Sequence, residues 1–151
     1  MLRISKLTDY GTLILACLAA QPDRVWTAAE VAACTHVGLP TVSKLLKKLQ
    51  RSGLVTSTRG SHGGYQLALP ASEISAVRIL DALEGPVAIT ECSGQHSSCG
   101  LESECRVGHV WQKVNGAIRR ALNDISLAQM AGMERKGNTF VLTRMARVRQ
   151  E

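Results

Sequence analysis

Apolar residues recur at helical spacing near the start of the chain. They stand at Leu7, Tyr10, Leu13, Ile14, Cys17 and Leu18. Steps of three and four residues place such positions on one face of a helix, which we expect to run to about Ala20. Thr27 and Glu30 then have the spacing of a capping box, which predicts a short second helix that ends near Thr35.

A third helix is predicted between Pro40, which suits a first helical turn, and Gly53, which suits a helix end. Two rows of residues share this helix. The apolar row is Val42, Leu45, Leu46 and Leu49, and the basic row is Lys44, Lys47, Lys48 and Arg51. The rows are shifted by two positions, which turn an α-helix by about 200°, so they lie on opposite faces. Solvated charged faces usually mix signs, whereas this stretch contains no acidic residue.

A short helix, a turn and a basic helix form the order of a helix-turn-helix, whose second helix enters the major groove of DNA. The first residues of that helix contact base edges, and later residues contact phosphates. The predicted base contacts are Pro40, Thr41, Ser43 and Lys44. The predicted phosphate contacts are Lys47, Lys48 and Arg51, which would add salt-sensitive affinity without sequence choice.

The next segment predicts a two-stranded hairpin. Its sequence, "LVTSTRGSHGGYQLALP", has β-branched and aromatic residues on both sides of a glycine-rich tip. In this position the hairpin is the wing of a winged helix, and Arg59 and His62 are placed to contact a narrow minor groove. Glycine-rich tips are also ordinary hairpin chemistry, so a purely structural role for both residues stays open.

The rest of the chain predicts a helix between Ser75 and Gly85, a cysteine-rich loop and one long helix. From Val107 to Ile125 apolar residues alternate at steps of three and four for roughly five turns. So long a stripe favours a homodimer interface, while packing within one subunit is the alternative. The predicted fold class is mainly α with a small β-hairpin wing.

Four units follow from this organisation. Residues 1–85 are expected to form a winged helix-turn-helix DNA-binding domain and residues 86–106 a cysteine-rich, cluster-binding loop. Residues 107–131 are expected to form the dimerisation helix and a short following helix. Residues 132–151 form a basic tail that composition predicts to be disordered.

Composition narrows the function class. The 151 residues suffice for one ordinary core with an appendage. Eighteen Lys and Arg against twelve Asp and Glu give a formal net charge of +6, which favours a polyanionic partner, above all nucleic acid. A merely soluble basic surface is the alternative. No stretch approaches the roughly 18 apolar residues of a membrane span, and no catalytic arrangement is recognisable, so we expect neither a membrane partner nor an enzyme with a small-molecule substrate.

The chain has five cysteines, three of which lie between positions 92 and 105. An odd number fits a disulfide framework poorly and favours a reducing compartment, the cytoplasm. We therefore expect the thiols to be free or metal-bound, with Cys17 and Cys34 as small core residues.

The three clustered thiols suit a metal centre. Thiolates are soft ligands for zinc, copper or an iron-sulfur cluster. Structural zinc sites usually contain a Cys-x-x-Cys pair, which is absent, and the wider gaps between Cys92, Cys99 and Cys105 favour a cluster. Unligated redox-active thiols are a further alternative, because Arg106 and Lys113 would favour a reactive thiolate.

Four stretches carry a family resemblance: "SKLTDYGTLILACLA", "RGSHGGYQLALPASEI", the cysteine loop and "HVWQKVNGAIRRALNDISLAQM". Over about residues 1–131 the chain resembles the bacterial winged-helix regulators that carry an iron-sulfur cluster, the group containing the IscR and NsrR repressors. "LEGPVAITEC" and the Trp-Gln-Lys start of the long helix are most similar to regulators of the SUF assembly pathway. The resemblance implies a homodimer that represses cluster-assembly genes at a partly palindromic operator. It also implies a bound cluster, with two-iron-two-sulfur favoured, and a signal that is iron, oxygen or nitric oxide.

The same resemblance implies the cluster ligands. The three family cysteines correspond to Cys92, Cys99 and Cys105. IscR-like members use a histidine as fourth ligand, for which His109 stands one residue late. NsrR-like members use an aspartate of the partner's first helix, where Asp9 stands. We favour His109, with Asp9 as the rival, and His96 inside the loop stays open.

Overall fold

The computed structural model describes residues 4–90 and 106–133. These residues form α-helices and one two-stranded antiparallel sheet, with a single 3-10 turn at Ala71–Glu73. In chain order the elements are α1 (Lys6–Ala20), α2 (Ala28–Thr35), α3 (Leu39–Arg51), β1 (Val55–Thr58), β2 (Gly64–Leu67), α4 (Ala76–Glu84), α5 (Gly108–Asn123) and α6 (Leu127–Met130). Among the described helices, none has the length and hydrophobicity that crossing a membrane requires.

Side-chain caps start three of the helices. Thr27 and Glu30 form the predicted capping box of α2: the Glu30 N–H donates to the Thr27 hydroxyl over 3.2 Å, and the Thr27 N–H donates to the Glu30 carboxylate over 2.8 Å. Ser5 accepts from the first turn of α1, and Ser126 with Gln129 forms a second capping box at α6. Each cap satisfies backbone N–H groups that have no partner within the helix.

The core lies where α1 packs against α2, α3, α4 and α6. Its fully buried large side chains are Ile14, Leu15, Leu18, Val31, Val42, Leu45, Leu46, Leu49, Leu54, Ile74, Ile79 and Leu127. The whole apolar row predicted for α3 is buried, which confirms its period. The row predicted for α1 is wrong at two positions, because Leu7 and Leu13 are 43% and 45% exposed and Leu15 is buried instead. Leu13 lies about 200° around the helix from the buried Gly11, so it faces away from the core.

The predicted hairpin is confirmed as β1 and β2, which pair in antiparallel register. Trp26 adds an isolated bridge to Tyr65 through two N–H···O bonds of 2.9 and 2.7 Å, which ties the wing to the segment before α2. The glycines of the hairpin allow this close approach. A Cβ on Gly64 would lie 2.4 Å from the Trp26 carbonyl oxygen, and a Cβ on Gly63 would lie 2.2 Å from that of Thr58. Both positions therefore require glycine.

The end of α5 returns the chain to the winged domain. The Ala76 N–H donates to the Ile125 carbonyl over 2.8 Å, and the Leu127 N–H donates to the Ile74 carbonyl over 2.7 Å. Leu127 is fully buried in the same core as α1 and α3. The C-terminal end of α5 is thus anchored to the domain that contains α3.

Cys17 and Cys34 are joined by a disulfide that links α1 to α2, with their Cα atoms 6.6 Å apart. Cys17 is 6% exposed, as expected of a core residue, whereas Cys34 is exposed and not buried. The prediction of free or metal-bound thiols is therefore wrong for this pair. The packing of α2 against α1 brings together two cysteines that stand 17 positions apart, and local periodicity does not reveal such a contact.

Candidate nucleic-acid interface

The exposed face of α3 is basic. Lys44, Lys47 and Arg51 lie opposite the buried row and are exposed to solvent. The fourth predicted cation has a different environment, because the Lys48 ammonium donates to the Leu83 carbonyl oxygen over 2.6 Å. Leu83 lies in the last turn of α4, where free carbonyl groups and the helix dipole favour a cation. Lys48 therefore links α3 to α4. This bond uses the ammonium that the sequence predicted to contact phosphate, so the two roles give opposite expectations for the salt dependence of DNA binding when Lys48 is replaced.

The turn between α2 and α3 comprises residues 36–38 and contains a glycine, as is typical of a helix-turn-helix. His36 ends α2 with a left-handed φ of 56°, and Val37 behind it is buried. Gly38 then begins α3 without a side-chain cap, so the first N–H groups of α3 have no side-chain acceptor from that residue. His36 therefore ends α2 and turns the chain toward α3.

The predicted base contacts gather at the start of α3. Pro40 and Lys44 are exposed, and Thr41 and Ser43 are half-buried between them. Leu39, which the sequence reasoning missed, is also 46% exposed here. The sequence pattern could have identified this residue, because Leu39 is apolar but does not belong to the row that α3 buries. In the major groove, apolar side chains are the partners of thymine methyl groups.

A groove of about 500 Å³ runs between the start of α2, α3 and the wing. Its lining residues are Thr27, Ala28, Lys47, Gln50, Ser57, Thr58, Arg59, Gly60, Gly63, Gly64 and Tyr65. The structure thereby brings Lys47 and Arg59, predicted separately, to one surface. Gln50 Nε2 donates to Ser57 Oγ over 2.7 Å and joins α3 to β1. The sequence gave no sign of this bond, because it depends on how the wing folds back.

The wing tip is exposed at Arg59 and His62, as a contact with DNA requires. The His62 ring is held locally, since its Nδ1 lies 3.0 Å from the Ser61 hydroxyl oxygen. Arg59 thus lines the groove, and His62 lies at the tip of the same hairpin.

The acidic side chain of Glu30, close to the groove, is charged and paired with a cation. The hydrogen bond from the Thr27 N–H, with those from the Thr27 hydroxyl and the Arg24 guanidinium, lowers the pKa of the Glu30 carboxyl. Arg24 pairs with Glu30 over 2.7 Å and stacks 4.0 Å from the centre of the Trp26 ring. Glu30 therefore caps α2 without adding an unpaired negative charge near Thr27.

The metal-ligand prediction falls mostly outside the described residues. Cys92, Cys99, Cys105 and His96 all lie in the segment 91–105. The two described candidates are exposed: His109 in the first turn of α5 and Asp9 in the first turn of α1. Within residues 4–90 and 106–133 no three potential ligands come together.

Asp81 of α4 binds the chain on both sides of that cysteine segment, at Val87 before it and at Arg119 after it. Arg119 of α5 donates to the Asp81 carboxylate over 2.7 and 3.0 Å, and the Val87 N–H donates to it over 3.0 Å. Burial raises the pKa of Asp81, but the hydrogen bonds from Arg119 and from the Val87 N–H outweigh burial and lower it. One carboxylate thus fixes both the chain that enters the segment and the helix that leaves it.

The outer face of α5 is apolar. Val107, Val110, Trp111 and Val114 stand three or four residues apart and are 59%, 59%, 42% and 37% exposed. Large apolar side chains in a continuous row are typical of a protein–protein interface. The sequence-predicted stripe is therefore on the surface of the subunit over the first half of α5.

Comparisons with known proteins agree with this architecture. Residues 4–132 match the Rrf2 family model, described as iron-dependent transcriptional regulator. A Haemophilus influenzae protein named as an HTH-type transcriptional regulator is 35% identical over 102 residues, which are 68% of this chain and 67% of that protein. The structure of T. potens IscR is 27% identical, covers 87% of this chain and 88% of that chain, and has a TM-score of 0.64. CymR, the global cysteine regulator of B. subtilis, is 24% identical with a TM-score of 0.65 over 89% of this chain and all of that chain, and it supports the fold alone.

Proposed function

Since this chain belongs to the Rrf2 family of iron-dependent transcriptional regulators, we propose that it is a homodimeric repressor whose operator affinity depends on an iron-sulfur cluster. Family membership makes it a DNA-binding transcriptional regulator and not an enzyme. In this proposal it acts in the cytoplasm on genes for cluster assembly of the SUF type. The observation that carries the proposal is the acid-free face of α3, which shares one groove with the wing arginine.

DNA docking follows from the orientation of α3. Pro40, Thr41, Ser43 and Lys44, at the exposed start of α3, contact base edges in the major groove. Lys47 and Arg51 further along contact phosphates, and Arg59 with His62 at the wing tip contacts the minor groove. Two copies place two α3 helices on the half-sites of a partly palindromic operator.

Operator binding is tested with a duplex obtained by in vitro selection from a random-sequence library. Fluorescence anisotropy then compares this duplex with a shuffled duplex of the same composition. Specific binding about 10³-fold or more tighter than the shuffled duplex is expected for a sequence-reading regulator. Equal affinity for both duplexes would contradict base contacts by α3.

A second copy of the chain covers the outer face of α5. The exposed row from Val107 to Val114 supports this, because four apolar side chains on one face lose their contact with water when a second α5 packs against them. Trp111 is the largest of the four and is the expected anchor of the interface.

Donor chemistry supports an iron-sulfur cluster in the cysteine segment. When bound, the cluster would cross-link the thiolates of Cys92, Cys99 and Cys105 and supply a link that oxidants or iron scarcity can remove. His109 is the favoured fourth ligand, since it is exposed and lies in the helical turn that directly follows the segment. Asp9 is the rival, because its carboxylate is also exposed, and it would act across the dimer.

The response to cluster loss passes through α4. Asp81 binds Val87 before the cysteine segment and Arg119 after it, so order in the segment biases the position of α5 relative to α4. Since α5 forms the dimer interface in this proposal, its position sets the angle between the two winged domains. The response is then a population shift between an angle that matches the operator spacing and one that does not.

The visible absorption spectrum and the iron and zinc contents of anaerobically purified protein test the cluster. The wild type should absorb in the visible range and contain iron, and Cys99→Ser should lose both. Stoichiometric zinc in colourless protein would instead favour a zinc-stabilised regulator. Absence of metal after anaerobic reconstitution would favour a thiol-based regulator.

Two further comparisons test the ligand and the coupling. His109→Ala should lower iron content more than Asp9→Asn, and the reverse order would assign the fourth ligand to Asp9. Equal operator affinity of the cluster-containing and cluster-free proteins would overturn sensing and leave DNA binding intact.

A further inference from the structure

Two cysteines lie far in sequence from the three in the 92–105 segment. Cys17 of α1 and Cys34 of α2 are joined by a disulfide, and their Cα separation of 6.6 Å is within the range of about 4.4–6.8 Å usual for such bonds. The two sulfurs belong to helices that meet in the core of the DNA-binding domain. Their proximity therefore comes from the fold itself.

The two sulfurs differ in access to solvent. Cys17 is 6% exposed and belongs to the core, whereas Cys34 is exposed in the last turn of α2. Thiol–disulfide exchange requires that the attacking thiolate reach a sulfur of the reagent. Cys34 can meet a reagent from solvent, whereas Cys17 is buried beside Cys34 and is placed to attack the Cys34 sulfur. This asymmetry assigns the first attack to Cys34 and the second to Cys17.

The bond anchors a helix that has few other anchors. Within α2 only Val31 is buried, and the capping box holds the opposite end of the helix. Cys34 lies two residues before His36, whose left-handed conformation turns the chain toward α3. The disulfide therefore fixes the end of α2 that sets the start of the recognition helix.

We propose that Cys17 and Cys34 form a reversible thiol site, separate from the 92–105 segment, at which a low-molecular-weight disulfide oxidises the pair and locks α2 to α1. The Cys34 thiolate attacks one sulfur of the reagent, whose S–S bond breaks and releases one thiolate. The Cys17 thiolate then attacks the Cys34 sulfur, and the second reagent thiolate leaves as the Cys17–Cys34 bond forms. The two protein thiols lose two electrons and two protons, and the reagent disulfide becomes two thiols.

The test equilibrates the full chain in buffers of oxidised and reduced glutathione and maps its disulfides by mass spectrometry after alkylation. A peptide pair linked through Cys17 and Cys34 should appear with oxidised and disappear with reduced glutathione. Cys34→Ser should never give this pair, and the matched control Cys99→Ser should retain it. Full alkylation of both cysteines in oxidised buffer would overturn the proposal, and so would a link that reduced glutathione never opens or a mixed disulfide that never closes.

Amide hydrogen exchange measures how firmly the disulfide holds the end of α2. Residues 28–37 should exchange about tenfold or more faster in the reduced protein, because the end of α2 then opens locally. Cys34→Ser should show the fast rate in both buffers, whereas equal rates in both buffers for the wild type would overturn the lock. Any effect of the disulfide on DNA binding, through the start of α3, rests on the proposed function. If the exchange rate of residues 28–37 depended on the redox buffer but the protein bound no selected operator, the thiol site would be upheld and the proposed function overturned.

Discussion

Two neighbouring lysines of α3 offer a test of how the helix meets DNA. Lys47 lines the groove between α3 and the wing, whereas the Lys48 ammonium donates to the Leu83 carbonyl over 2.6 Å. Both side chains are exposed and both were predicted from sequence to contact phosphate. We expect Lys47→Ala to weaken DNA binding and Lys48→Ala to weaken the attachment of α4 to α3.

The expected size for Lys47→Ala comes from counterion release. Each phosphate contact contributes about 0.9 to the slope of log affinity against log salt, so the proposed dimer, which loses two contacts, loses about 1.8. If the curves of variant and wild type meet near 1 M salt, binding is about 60-fold weaker at 0.1 M and about 20-fold weaker at 0.2 M. The loss should be the same on selected and shuffled duplexes, since phosphates carry no sequence.

Lys48→Ala should leave the salt slope unchanged and lower stability. A hydrogen bond from the Lys48 ammonium to the Leu83 carbonyl at the helix end contributes on the order of 1 kcal/mol, which corresponds to about 2–4 °C in Tm for a chain of this size. Anisotropy titrations across a salt series and thermal unfolding of both variants measure the two effects. An equal loss of slope in both variants would refute the placement of Lys48 on α4.

Three other predictions test separate parts of the molecule. Thr41→Ala should change discrimination between operator variants with little change in salt slope, and unaltered discrimination would contradict its base contact. Asp81→Asn should lower Tm by a few degrees near pH 7. It should also remove the part of the fall in stability at acid pH that comes from protonation of the Asp81 carboxylate. Its folded pKa lies below the unfolded value, so its stabilisation is present above the unfolded value and is lost as pH falls through the folded one. If α5 forms the proposed dimer interface, Val110→Asp should shift the chain from dimer to monomer in light scattering after size exclusion. A mass equal to that of the wild type would contradict an interface on α5.

Local signals were enough to predict the elements of the DNA-binding domain. The two rows of α3, the capping box of Thr27 and Glu30, and the glycine-rich hairpin each depend on residues within a few positions of one another. For each of these elements the local preference of the sequence agrees with the structure that tertiary packing stabilises.

Besides Leu39 and the burial pattern of α1, the features that sequence reasoning missed are contacts between distant parts of the chain. Lys48 and Leu83 are 35 positions apart, and the Asp81 and Arg119 pair spans 38. Neither contact leaves a periodic trace, because a lysine on a basic stripe looks the same whether its ammonium meets solvent or a helix end. The disulfide of Cys17 with Cys34 was missed for the same reason, since both cysteines fit their helices as small apolar residues.

The last turn of α4 connects three helices. Asp81 pairs with Arg119 of α5, the Leu83 carbonyl accepts from Lys48 of α3, and the Glu84 carboxylate accepts from hydroxyl groups at the start of α1. The buried leucine row of α3 also fixes that helix within its own core, so α3 cannot turn independently of the domain. A change that begins at α5 must therefore break the Asp81 pair or move α4 together with α3. We expect the second, in which each winged domain moves as one body and the distance between two recognition helices changes while each helix keeps its packing.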